Sequence, residues 1–323
     1  AWKCHLEPRR KPFCSHSITS LLVISILSQP IIYNINTGNW VMHTVPVKHS
    51  TLRSKELYIR QELSVMDLGL SNRNAIITGG SRGLGRQIAL SLAQEGCNIT
   101  ICAREPKQLS ETAKEIEALG VRVASVEVDI TDPDAPEMIV SAANSINPVD
   151  ILINNVGGGS RGGPSLEATT DQELQEALQL NLLAATRLIR LVTPSMRAAQ
   201  WGRIVSVASI WGREYGGTIG YMTGKAALIA MSKHLAIELA PDNILVNTIA
   251  PGSIRFPGGS WERFATTQPE EVVSRFIETN LPLGKFGWPE PVGDLVAYLC
   301  SERAGLITGT CINIDGGQTR SLI

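Results

Sequence analysis

A tyrosine and a lysine stand four residues apart at Tyr221 and Lys225. Residues 219–239 are predicted to form a helix, and side chains four positions apart lie on one face of a helix. A tyrosine hydroxyl, with a pKa of about 10, is a weak acid at neutral pH, but a nearby ammonium lowers that pKa by favouring the phenolate. Tyr221 is therefore the candidate proton donor to a carbonyl oxygen. A Tyr-x-x-x-Lys spacing taken alone is more often a surface pair.

Two more polar residues lie at positions where they can take part in catalysis. Ser209 follows a predicted strand, residues 203–207, and its hydroxyl can orient a substrate oxygen and stabilise developing negative charge. Serines at strand ends are also common turn formers. Asn181 lies within the predicted helix 171–196, an unfavourable position for asparagine unless its side chain has another task.

A glycine-rich turn predicts a dinucleotide site. The predicted strand 75–78 runs directly into this turn and then into a predicted helix, 84–95. Glycines let the backbone approach a pyrophosphate, whose charge is met by amides at the helix N-terminus. The spacing Gly-x-x-x-Gly-x-Gly is a variant of the general fingerprint, and a purely structural turn is the alternative. The cofactor-binding residues predicted here are Gly79, Ser81, Arg82, Gly83, Leu84 and Gly85.

The next predicted strand indicates which dinucleotide binds. About 20 residues after the turn, where an acidic residue would bind the ribose of NAD, the strand ends in Cys102-Ala103-Arg104. Arg104 and Arg82 can both grip a 2′-phosphate, because the arginine fork suits phosphate geometry. The cofactor is therefore predicted to be NADP(H), with NAD(H) the less favoured alternative.

The elements that position these residues alternate between strand and helix. Apolar strands that have no solvated face indicate a parallel sheet covered by helices on both sides. The fold class is α/β: a Rossmann-like, doubly wound, seven-stranded parallel sheet in a single domain, residues 66–323. The strands are predicted at residues 75–78, 98–102, 122–128, 151–154, 203–207, 245–249 and 311–314, and the helices at 84–95, 106–119, 135–146, 171–196, 219–239 and 291–300.

Composition excludes several classes of protein. His234 is the only histidine after residue 65, which argues against zinc sites and Ser-His-Asp triads, so no metal is expected. The six cysteines include no Cys-x-x-Cys pair, which favours a reducing compartment and a cytoplasmic location. Residues 66–323 carry 21 basic and 27 acidic side chains, a balance that does not suit nucleic-acid binding.

The first 65 residues contribute no motif. Their longest apolar run, residues 21–27, is far shorter than the roughly 20 residues that a membrane-spanning helix needs. Basic residues precede this run, as in a signal peptide, but no small-residue cleavage site follows. We expect a non-domain extension, either a disordered tail or an upstream read-through, with the catalytic domain beginning near Met66.

Taken together, the motifs identify a resemblance. Over residues 68–318 the sequence resembles the short-chain dehydrogenases/reductases, and within them the 3-oxoacyl-(acyl carrier protein) reductase-like members. The motifs stand in family order: Thr78-Gly79-x-x-x-Gly83-x-Gly85, Asp129, Asn154-Asn155-Val156-Gly157, Asn181, Ser209, Tyr221-x-x-x-Lys225, Pro251-Gly252 and Asp315-Gly316-Gly317.

The resemblance implies roles for residues that spacing alone does not explain. Asn181 completes a catalytic tetrad with Ser209, Tyr221 and Lys225 by holding a water that links Lys225 to solvent, and Lys225 also binds the nicotinamide ribose. The resemblance further implies a homotetramer built through residues 171–196 and 219–239. Two departures from the family pattern weaken the assignment of cofactor contacts to this chain. Val156 replaces the usual Ala, and no Thr follows Pro251-Gly252 at the expected spacing. Further cofactor contacts are implied for Asp129, Ile130, Asn155, Val156, Gly157, Pro251, Gly252 and Ile254.

The predicted function is hydride transfer between NADP(H) and a small-molecule carbonyl or alcohol, with no nucleic-acid or membrane partner. A catalytically silent NADP(H)-binding scaffold or sensor is the alternative. A third hypothesis, an acyl hydrolase that uses Ser209 as its nucleophile, is not supported because no partner histidine is available. The irregular stretch 253–289 is predicted to be a lid or binding loop. Its aromatic residues suit either an apolar, ring-bearing substrate or packing of the lid onto the body.

Overall fold

The backbone before Met66 forms three strands. The computed structural model describes residues 21–26, 29–34, 39–42, 66–158 and 165–322, and the chain divides into two units, Ala1–Met66 and Asp67–Ile323. In the first unit, β1 (Leu21–Ile26), β2 (Gln29–Asn34) and β3 (Asn39–Met42) pair antiparallel in that order. The sequence analysis assigned no strand here, because the apolar runs are short and have no regular period. The remaining residues before 66 lie outside the described residues, and the boundary near Met66 stays a prediction.

The second unit contains the seven-stranded sheet that the sequence predicts. The order across the sheet is β10-β9-β8-β7-β4-β5-β6, and every neighbouring pair is parallel. The chain runs outward from β4 in one direction and from β7 in the other, so these adjacent strands form the topological switch point. The strands are β4 (Asn74–Thr78), β5 (Asn98–Ala103), β6 (Val123–Glu127), β7 (Ile151–Asn154), β8 (Gly202–Val207), β9 (Ile244–Pro251) and β10 (Cys311–Ile314).

Helices cover both faces of this sheet, which confirms the doubly wound prediction. Successive strand residues point to opposite faces, so Ile76 and Ile77, both fully buried, belong to different core clusters. Helices α1, α2 and α9 pack on the Ile77 face, and α3, α5 and α6 pack on the Ile76 face. The helices are α1 (Gly83–Gln94), α2 (Pro106–Glu117), α3 (Ala135–Asn144), α4 (Asp171–Leu178), α5 (Ala184–Ala199), α6 (Ile219–Leu239), α7 (Ser260–Thr267), α8 (Glu270–Asn280) and α9 (Glu290–Cys300).

Two features differ from the predicted elements. The helix predicted over 171–196 begins with a capping box between Thr170 and Glu173, but it contains a single π-helical turn, Gln179–Leu183, between α4 and α5. The predicted loop 253–289 contains α7 and α8. Both helices are short, with 8 and 11 residues, and neither buries a residue fully.

Candidate functional site

A cavity of about 1700 Å³ opens at the carboxyl ends of the parallel strands. It lies at the adjacent strands β4 and β7, from which the chain continues toward opposite edges of the sheet. Ligand pockets commonly measure about 300–1,000 Å³, so this cavity has room for a dinucleotide and a second molecule. Of the predicted site residues, Gly83, Gly85 and Asn181 lie outside the lining. The others line it: Gly79, Ser81, Arg82, Leu84, Arg104, Asp129, Ile130, Asn155, Val156, Gly157, Ser209, Tyr221, Lys225, Pro251, Gly252 and Ile254.

The glycine turn is shaped by close packing. Gly83 has φ +56°, and a Cβ on it would overlap the ring of Phe256. A Cβ on Gly85 would overlap the carbonyl oxygen of Gly79. A side chain at either position would push the turn away from the start of α1, whose free amide groups face an anion. These two glycines therefore determine the shape of the turn, although they do not line the cavity.

Hydrogen bonds fasten this turn to the end of β7. The Thr78 hydroxyl accepts from the backbone N–H groups of Asn155 at 2.9 Å and Val156 at 3.0 Å. The Asn155 amide donates to the carbonyl oxygen of Thr78 at 2.8 Å. The resemblance implies a cofactor contact for Asn155, and in the structure its side chain also holds the two strand ends together.

Two arginines reach the cavity at different places. Arg104, with 79% of its side chain exposed, lies 3.4 Å from Asp129 between Nη1 and Oδ2. The other oxygen of Asp129 accepts from the backbone N–H and the hydroxyl of Thr131, and these bonds, the backbone N–H foremost, together with the nearby Arg104 lower the pKa of the carboxyl. Arg82 donates to the carbonyl oxygen of Gly258 at 3.5 Å, across the cavity mouth in the region of the lid.

The predicted proton donor is hydrogen-bonded to the predicted oxygen-binding serine. The side chains of Tyr221 and Ser209 form a hydrogen bond at the cavity wall, and the Thr218 side chain caps the start of α6 just before Tyr221. Burial raises the pKa of Tyr221, and the Ser209 bond lowers it in part. The sequence analysis predicted a lowered pKa, which is wrong for this structure, because desolvation of the phenolate outweighs the bond from Ser209.

Lys225 is buried beside this pair. Its Nζ lies 5.9 Å from the centroid of the Tyr221 ring and donates to the carbonyl oxygen of Val207 at 2.7 Å. Only 2% of the residue is exposed, and burial lowers the pKa of the ammonium to about 8. An ammonium can donate three hydrogen bonds, so its bond to Val207 leaves capacity for ligand hydroxyls.

Asn181 lies behind the cavity, on the π-helical turn. Its amide nitrogen donates to the carbonyl oxygens of Ala177 at 3.0 Å and Gly158 at 3.1 Å, and its oxygen accepts from the N–H of Gly158 at 3.2 Å. A Cβ on Gly157 would lie 2.5 Å from Lys225 Nζ and 2.9 Å from the Asn181 oxygen. The structure thus brings Asn181 and Lys225 together against Gly157.

The segment after β9 is held by the C-terminal strand and tail. Gly252 donates to the carbonyl oxygen of Ile314 at 3.2 Å, and Ser253 donates its backbone N–H to the Gln318 side chain at 2.8 Å. A Cβ on Gly252 would overlap Asp315. Sequence reasoning missed Gln318, although it stands next to the Asp315-Gly316-Gly317 motif that it assists.

Aromatic side chains surround the remaining part of the cavity. Trp211 packs edge to face against Tyr221, with ring centroids 6.2 Å apart, and lies 6.4 Å from Trp261 of α7. Phe256 and Phe264 also line the cavity. Sequence reasoning named the lid aromatics but missed Trp211. The signal was available, since Trp211 stands two residues after Ser209 on the same loop.

Among the described residues, no group of three or more His, Cys, Asp or Glu side chains is arranged to hold a metal ion. No helix formed by these residues combines the length and apolar character needed to cross a membrane.

Comparison with known sequences places the chain in a family. The family model described as Enoyl-(Acyl carrier protein) reductase matches residues 79–319. A 3-oxoacyl-[acyl-carrier-protein] reductase of Aquifex aeolicus is 34% identical over 258 residues, which cover 78% of this chain and 100% of the relative. A tropinone reductase homologue of Arabidopsis thaliana is 33% identical over 252 residues, 77% of this chain and 91% of the relative. The chain belongs to the short-chain dehydrogenase/reductase family and is a nicotinamide-dependent oxidoreductase.

Solved structures show the same architecture. L-Sorbose reductase from Gluconobacter frateurii, complexed with NADPH and L-sorbose, has a TM-score of 0.72 and 35% identity, and the match covers 80% of this chain and 100% of the other. A 7α-hydroxysteroid dehydrogenase complexed with NADH and 7-oxo glycochenodeoxycholic acid has a TM-score of 0.71 and 27% identity, covering 80% and 98%. These two neighbours bind different forms of the nicotinamide cofactor, so they leave the choice between NADP(H) and NAD(H) to the residues of this chain.

Proposed function

We propose that the chain is an NADP(H)-dependent carbonyl reductase or alcohol dehydrogenase in which Tyr221 is the general acid and base. The observation that carries the proposal is that Ser209, Tyr221 and the buried Lys225 line the same cavity, with the Lys225 ammonium 5.9 Å from the centroid of the Tyr221 ring. A hydroxyl pair of this kind can bind one carbonyl oxygen from two donors.

The residues present fit a nicotinamide dinucleotide. Gly83 and Gly85 allow the turn before α1 to lie close to a pyrophosphate, since a Cβ on either would overlap its surroundings. At the other end of the site, Lys225 lines the cavity with donor capacity beyond its bond to Val207, which suits ribose hydroxyls. When bound, the nicotinamide supplies the hydride for reduction and accepts it in the reverse direction.

The preference for NADP(H) rests on Arg82 and Arg104. Both line the cavity, and each presents donors that suit a phosphate. Arg104 directly follows β5, at the position where an acidic residue would bind the ribose of NAD. This arrangement supports recognition of a 2′-phosphate over recognition of a free 2′-hydroxyl by a carboxylate.

Side chains of this protein transfer the proton to and from the substrate oxygen. In reduction, Tyr221 donates its hydroxyl proton to the substrate carbonyl oxygen while the Ser209 hydroxyl donates a hydrogen bond to the same oxygen. Because burial raises the pKa of Tyr221, the hydroxyl is protonated at neutral pH, as a proton donor must be. In oxidation, Tyr221 must first lose this proton, so the rate of alcohol oxidation should rise with pH over a range in which reduction does not.

A panel of carbonyl compounds tests the proposal against a silent scaffold. We expect the wild-type protein to oxidise NADPH in the presence of at least one ketone or aldehyde, measured by loss of NADPH absorbance. Ser209→Ala should reduce that rate at least tenfold, because one donor to the oxygen is lost. Tight NADPH binding with no turnover across ketones, aldehydes and acyl thioesters would instead support the scaffold or sensor.

We also propose a homotetramer and a cytoplasmic location. The homotetramer follows from the resemblance, with α4, α5 and α6 as the interface. The location is supported by the free cysteines Cys97, Cys102, Cys300 and Cys311. Light scattering at assay concentration should give four times the monomer mass, and a monomer would contradict the assembly.

A further inference from the structure

Three aromatic rings wall the cavity beside the proton donor. Trp211, on the loop after β8, is 6.2 Å from Tyr221 between ring centroids, and Trp261 of α7 is 6.4 Å from Trp211. Phe264 lies one turn further along α7, 5.6 Å from Trp261. All three line the cavity. A substrate whose carbonyl oxygen meets Tyr221 must therefore place its neighbouring atoms near Trp211 and the α7 rings.

Two further phenylalanines hold these rings from behind. Phe276 of α8 stacks on Trp261 with centroids 4.8 Å apart, and Phe286 lies 5.7 Å from the same ring. Neither Phe276 nor Phe286 lines the cavity. Centroid separations of about 4.5–7 Å are favourable for aromatic pairs. The structure therefore separates the lid aromatics into a packing layer, with Phe276 and Phe286, and a cavity-facing layer, with Trp261 and Phe264.

We propose that the substrate is an apolar cyclic ketone, or the corresponding secondary alcohol, whose ring lies against Trp211, Trp261 and Phe264. This inference rests on the proposed reduction at Tyr221. Burial of apolar ring carbons against aromatic faces removes them from water, which favours binding. The hydroxyls of a polyol would lose hydrogen bonds with water at the same place. Arg263 also lines the cavity from α7, so a polar edge on the far side of the ring is accommodated.

The same segment of the chain contains a matched control. Trp288 follows α8 and is 42% exposed, with the Lys285 ammonium 4.5 Å from its ring centroid. It does not line the cavity. Replacing Trp288 therefore removes a tryptophan of equal size near the lid without changing the proposed contact surface.

The test compares two ketones in four proteins. The substrates are decalone, an apolar bicyclic ketone, and L-sorbose, a polyhydroxy ketone, each with saturating NADPH. The proteins are wild type, Trp261→Ala, Trp261→Phe and Trp288→Ala. We expect wild-type kcat/KM to be at least about tenfold higher for decalone than for L-sorbose. Trp261→Ala should raise KM for decalone about tenfold with little change in kcat, Trp261→Phe should restore most of the loss, and Trp288→Ala should match wild type.

Binding separates failure of this inference from failure of the proposed reaction. Calorimetry of decalone with the NADP⁺-loaded proteins measures ring binding whether or not turnover occurs. If decalone binds and Trp261→Ala weakens it but no ketone is reduced, the ring site stands and the proposed function fails. If ketones are reduced but L-sorbose equals or exceeds decalone, the inference is overturned. It is also overturned if Trp261→Ala and Trp288→Ala have the same effect on decalone.

Discussion

Replacing Lys225 by methionine should make the protein inactive and more stable. The folded chain holds this ammonium almost fully buried, and burial lowers its pKa from 10.5 to about 8. Each pH unit of that difference corresponds to about 1.4 kcal/mol of unfavourable free energy in the folded state, or about 3 kcal/mol in all below pH 8. Methionine has nearly the same length and no charge, so it removes this cost.

The hydrogen bond to Val207 offsets part of the gain. The donor is charged, so loss of this bond costs about 2 kcal/mol, which leaves a net stabilisation of about 1 kcal/mol at pH 7. In a domain of this size, that corresponds to a rise in Tm of about 2–4 °C. Thermal unfolding of both proteins without added cofactor, followed by circular dichroism, measures it.

The pH dependence has a defined sign. Because the pKa of Lys225 is lower in the folded than in the unfolded chain, the unfolded chain binds more protons between pH 8 and 10.5. Wild-type stability attributable to this group therefore increases across that window, and the advantage of Lys225→Met shrinks as the pH rises. The predicted cost of burying the Lys225 ammonium would be contradicted if Lys225→Met were no more stable than wild type at pH 7. It would also be contradicted if the stability gain of the variant did not change between pH 7 and 10.5.

Three other changes test separate parts of the site. The double variant Arg82→Ala, Arg104→Ala should lose a preference for NADPH over NADH that we expect to be at least tenfold in kcat/KM, and added salt should weaken that preference in the wild type. Equal use of NADH by the wild type would show that these arginines bind something else. Gly83→Ala should weaken NADPH binding at least about tenfold, because its Cβ would overlap Phe256 where φ is +56°; unchanged affinity in a calorimetric titration would contradict this. A chain beginning at Met66 should keep full activity, and an inactive or insoluble product would assign residues 1–65 to the fold.

The sheet could be predicted because its strands are short, apolar and regularly separated by helices. The predicted strand 151–154 and the structure's Ile151–Asn154 have the same bounds, since a fully buried strand leaves a continuous apolar run. Helices α7 and α8 could not be predicted in this way. Both are short, bury no residue fully and pack through aromatic contacts such as Trp261 with Phe276, which depend on the folded arrangement of the segment.

Most residues of the predicted site line the cavity, with Gly83, Gly85 and Asn181 as the exceptions. The motifs did not indicate that Asn155 connects β4 to β7 through its side chain or that Asn181 lies on a π-helical turn. Those features depend on contacts between residues far apart in the chain. The direction of the Tyr221 pKa was missed for a related reason: spacing places Lys225 nearby but does not reveal how completely the hydroxyl is buried.

The assignment of Tyr221 as the proton donor is tested by measuring the turnover and the NADPH affinity of Tyr221→Phe, with the best ketone of the panel as substrate. Removing one hydroxyl takes away the proton donor and little cofactor contact. We predict that reduction falls below a tenth of the wild-type rate while the Kd for NADPH stays within a few-fold. A variant that keeps more than a tenth of wild-type turnover would contradict the assignment of Tyr221 as the proton donor.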